Sequence, residues 1–142
     1  MKKILATIFV VWSSVLCNGQ ANPLNPAALD TLYIKRSEKL FFEAAIDSGN
    51  HLSFRQVAKN TDISNTISIK LSYVGAVGAM LEIVNPFGKQ LYYKAELYSP
   101  DKKDYVETST IPVDPNLSSF ETWPFKIDKI RLTGFRLKET KN

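Results

Sequence analysis

"LEIVNPFGKQLYYKAEL", residues 81–97, carries the clearest structural signal in the chain. Leu91, Tyr93, Ala95 and Leu97 are apolar or aromatic at every second position, with Lys94 and Glu96 between them. That is the period of a strand with one buried face, and a helix does not alternate in this way. Leu81 and Ile83 flank Glu82 in the same manner. Between the two runs lies Asn85-Pro86-Phe87-Gly88, in which Pro86 presets φ and Gly88 tolerates positive φ. The expectation is a β-hairpin that reverses over these four residues.

The same period recurs on both sides. Leu40, Phe42, Ala44 and Ile46 alternate up to a Ser48-Gly49-Asn50 turn, and Leu52, Phe54 and Gln56 begin the next run. Ile67, Ile69, Leu71 and Tyr73 alternate with Ser68, Lys70 and Ser72, after which Gly75 and Gly78 break the pattern. Beyond Tyr98 a charged loop leads to Tyr105–Thr110, a run expected to end at a sheet edge because Pro112 and Pro115 follow it. Ile130 and Leu132 are out of phase with Phe135 and Leu137, and a bulge at Gly134 restores the phase. Short strands with turn signals between them and no helical period predict an all-β fold, a single antiparallel β-sandwich of about 7–8 strands over residues 32–142. Its general look is immunoglobulin-like or jelly-roll-like.

The N-terminus reads differently. Lys2 and Lys3 precede an uncharged, mostly apolar run from Ile4 to Leu16, too short to span a bilayer, and Gly19-Gln20-Ala21 offers a small-residue cleavage site. Residues 1–21 are therefore expected to be a secretory signal peptide, with 22–31 an N-terminal segment and the protein periplasmic or secreted. Cys17 is the one candidate for lipid attachment, but Ser14 and Leu16 stand where a lipoprotein signal carries Leu and a small residue. Cys17 is the only cysteine of the 142 residues, so no disulfide can form within the chain.

Charge and side-chain chemistry narrow the function. Without Lys2 and Lys3 the basic residues number 16 against 14 acidic, and no run of basic residues exceeds two in sequence, which argues against nucleic acid as a partner. His51 is the only histidine and stands beside a turn, so neither a zinc site nor a serine triad is expected. Glu107 and Glu121 are the remaining candidates for a hydrolytic carboxylate pair. The expectation is no catalytic residue, no metal and no cofactor.

"LSSFETWPF", residues 117–125, is the segment whose pattern is neither clean strand nor helix. Trp123 either plugs the open end of the sandwich or, with Phe120, Glu121 and Phe125, forms an aromatic platform to which Tyr92 and Tyr98 add. The expected function is a non-enzymatic interaction module binding another envelope or secreted protein. The alternative is a carbohydrate-binding module centred on Trp123.

Overall fold

The computed structural model of the protein describes residues 28–59 and 62–139; the signal segment, Cys17 and most of the N-terminal segment lie outside them. Within the described residues, nine strands and a three-residue 3₁₀ turn build two antiparallel sheets packed face to face as a β-sandwich. The strands are β1 (Leu32–Lys35), β2 (Glu38–Ile46), β3 (Leu52–Val57), β4 (Thr66–Val74), β5 (Gly78–Val84), β6 (Gln90–Ser99), β7 (Asp104–Thr108), β8 (Ser118–Trp123) and β9 (Lys129–Lys138). One sheet has the order β1-β9-β6-β7 and the other β3-β2-β4-β5-β8. No helix of the described residues is long and apolar enough to cross a membrane.

The alternating residues form the core as their period requires. Ile67, Ile69 and Leu71 of β4, Leu81 and Ile83 of β5, Leu91 and Ala95 of β6 and Ile130 and Leu132 of β9 are buried, while the residues between them along each strand are more exposed. An aromatic row joins the sheets. Phe42 meets Phe54 edge-on at 6.2 Å between ring centroids, Phe54 meets Phe135 at 4.8 Å, and Phe135 stacks on Tyr93 at 6.0 Å. The row thus runs from β2 and β3 through β9 to β6.

The strands of residues 81–97 form as expected, but the hairpin does not. β5 pairs with β4 and β8, whereas β6 pairs with β9 and β7, so residues 85–88 carry the chain from one sheet to the other. Asn85 is the reason. It is buried, and its side-chain amide donates to the carbonyls of Lys89, Val113 and Asp114 while its Oδ1 accepts from the Phe87 N–H. These bonds saturate the corner internally, and Phe87 drops into the core instead of capping a reverse turn. Gly88 is not among the glycines with positive φ.

Two other details bear on function. At Gly134, φ is +62° and the register slips between Tyr92 and Lys94, so Gly134 and Phe135 together oppose Tyr93. This bulge keeps Phe135 and Leu137 inward. The second is β8: residues 118–123 make a full strand along β5, where the sequence pattern gave no strand.

Candidate functional site

The two sheets end on the same side with β7 and β8, and the mouth between these terminal strands holds the aromatic segment. Along β8, Ser119, Glu121 and Trp123 turn inward while Phe120 and Thr122 turn out. Trp123 is 8% exposed and its indole N–H points to the Thr108 hydroxyl on β7 at 3.4 Å, so it fills the mouth from one edge strand to the other. Trp123 pairs with Ala79, whose small side chain leaves room for the indole over β5.

Glu121 occupies a core-facing position opposite Leu81. A carboxylate there must be hydrogen-bonded. The Tyr93 hydroxyl donates to it at 2.5 Å and the Ile111 N–H at 3.0 Å, both onto Oε1. Burial, reinforced by the neighbouring carboxylate, pushes the Tyr93 phenol far above its usual range. Tyr93 therefore stays protonated and acts as a donor, tying the end of the aromatic row to β8.

Two hollows flank Trp123. One, of about 290 Å³, is lined by Thr108, Ser109, Ile111, Phe120, Glu121 and Trp123. The other, of about 540 Å³, is more apolar and is bounded by Leu97, Tyr98, Val106, Trp123, Phe125 and Ile127. Trp123 is the wall they share. Val106 and Phe125 remain 40% and 53% exposed at the second hollow, so its rim presents apolar surface to solvent.

Of the candidate residues, the structure thus brings Tyr98, Trp123 and Phe125 together at one hollow and Phe120 and Glu121 at the other. Tyr92 stands apart on the outer face of the four-stranded sheet, under Arg136 and Lys138. Glu107 and Glu121 do not form a pair: Glu107 lies across from Glu96 near Lys94, and Glu121 is bound inside by Tyr93. His51 is exposed, with Asp47 beside it at 3.5 Å. Backbone donation from His51 holds the Asp47 carboxyl below its ordinary range. Among the described residues no three His, Cys, Asp or Glu side chains gather as a metal site would need.

Sequence reasoning missed the contribution of β7. Val106 and Thr108 read only as a short strand, and their facing Trp123 depends on the folding of β8 onto β5. Comparison with known proteins finds no matching family model, no matching characterised protein and no matching solved structure.

Proposed function

We propose that the protein is an exported, non-enzymatic interaction module that takes an extended segment of a partner protein at the mouth between β7 and β8. The observation that carries this reading is the terminal strand β7 beside the apolar hollow. Among the described residues no strand pairs with the outer edge of Asp104–Thr108, whereas the edge of β3 is partly covered by backbone bonds between Leu29 and Phe54. An unpaired strand edge offers main-chain donors and acceptors to an added strand, and an adjacent pocket selects alternate side chains. The hollow against Trp123 is such a pocket, and an apolar side chain of the incoming segment fits its lining.

A glycan stacked on Trp123 is less well supported, since an indole 8% exposed leaves little ring face for a sugar. The test is a photoreactive residue placed at Val106, Phe125 or the exposed Ile63, which lies in the loop between β3 and β4 at the other end of the five-stranded sheet, with crosslinking in the cells that make the protein. One protein species captured from positions 106 and 125 but not 63 supports the reading. Equal capture from all three positions, or none, refutes it.

A further inference from the structure

The outer face of the four-stranded sheet borders the mouth at Tyr98 and Glu107, and its composition is unusual. Six cations, Lys35, Lys94, Lys129, Arg131, Arg136 and Lys138, stand on it against two carboxylates, Glu96 and Glu107. That excess of four is larger than the net charge of +2 that remains when Lys2 and Lys3 are set aside, 16 basic against 14 acidic residues. The outer face of the other sheet carries Lys39, Arg55 and Lys70 against Glu43 and Glu82 and no such excess.

The cations are arranged, not scattered. Lys129, Arg131, Arg136 and Lys138 follow one another along β9, kept on one face by the bulge at Gly134, and a strand of ten residues extends the row over roughly 30 Å. Lys129 lies over the Tyr98 ring at 4.4 Å, Arg131 over Tyr105 at 4.5 Å and Lys138 over Tyr92 at 4.7 Å. Cation–π contact fixes the long side chains without neutralising them. Arg131 is matched by Glu96 and Lys94 approaches Glu107 at 4.0 Å, while Lys35, Lys129, Arg136 and Lys138 have no carboxylate partner among the described residues. Near the bulge, a hollow of about 250 Å³ is ringed by His51, Lys94 and Arg136 with Tyr92 at its side.

We propose that this face binds a linear acidic polysaccharide lying along β9, with one acid-bearing unit seated in the hollow between Lys94 and Arg136. A single row of cations matches a chain of regularly spaced carboxylates better than a wide anionic bilayer. The rings of Tyr92, Tyr98 and Tyr105 each carry a cation on one face, which leaves Tyr33 on β1 as the tyrosine of this face without one and reduces the surface on which nucleic-acid bases could stack. Export, expected from residues 1–21, agrees with such a ligand.

The test is affinity electrophoresis and calorimetry of the protein, at low and at raised salt, with polygalacturonate, neutral dextran, oligothymidylate and phosphatidylglycerol vesicles. Binding to polygalacturonate but not dextran is expected, weakening steeply with salt as counterions are released. The double variant Arg136→Gln/Lys138→Gln should weaken it at least tenfold, and Lys39→Gln/Lys70→Gln on the opposite sheet should leave it unchanged, with both variants melting like the parent. No binding to polygalacturonate, equal loss in the two variants, or tighter binding to oligothymidylate or vesicles would each overturn the proposal.

Discussion

Gly78 sits at φ +94°, and a Cβ built there would lie 2.1 Å from the Trp123 carbonyl oxygen. Backbone stands in the way, so no side-chain adjustment relieves the clash, and Gly78→Ala should cost about 2–4 kcal/mol in urea unfolding. The glycine was legible as a break in the β4 pattern; its closeness to β8 was not, because that contact joins residues far apart in sequence. Trp123→Ala should cost about 3 kcal/mol or more, since the indole is buried and shared by two hollows. Glu96 gives a pH signature. Its hydrogen bonds to Arg131 hold the carboxyl below the ordinary range, so the folded state binds this proton less readily than the unfolded chain. The stabilisation is therefore present above the ordinary carboxylate pKa of about 4.3 and is lost as pH falls through the lower folded value. Glu96→Gln should make stability less dependent on pH in that acid window, as melting temperatures between pH 5 and pH 2 would show.

At the scale of elements, alternation revealed which segments are strands but not which strands meet. Residues 81–84 and 90–97 are strands because of their period, yet the link between them is set by Asn85, whose three bonded carbonyls come from Lys89, Val113 and Asp114. Two of those carbonyls belong to a distant segment, and nothing local to 85–88 announces them. Asn85→Ala should cost roughly 2–3 kcal/mol by leaving the buried Val113 carbonyl and the buried Phe87 N–H without their partner, measurable by chemical denaturation. The bulge at Gly134 was legible because a phase error within one strand is a local signal. Strand β8 was not, since Glu121 occupies an inward position where the pattern calls for an apolar residue and is tolerated only through Tyr93 and Ile111. Polar substitution at a core position is what hid the strand that completes the mouth.

For the whole molecule, the core rests on the two sheets and the aromatic row between them, with no disulfide. Phe54, which touches both Phe42 and Phe135, is one of the two inner rings of that row, and Phe54→Ala should cost about 3–5 kcal/mol. The sandwich class could be inferred from the sequence because recurrent short strands leave few other ways to bury one face each. The mouth and the basic face could not, because both are assembled from strands that meet only in the folded sheet order. The proposed function lies at an edge, where β7 would offer its backbone and the hollow against Trp123 would select the incoming side chain. The most direct measurement is amide hydrogen exchange on the complex formed with the protein crosslinked at position 106. Strand addition predicts new protection at alternate amides of residues 104–108 and little change on β4. Unchanged exchange in β7, with protection elsewhere, would contradict it.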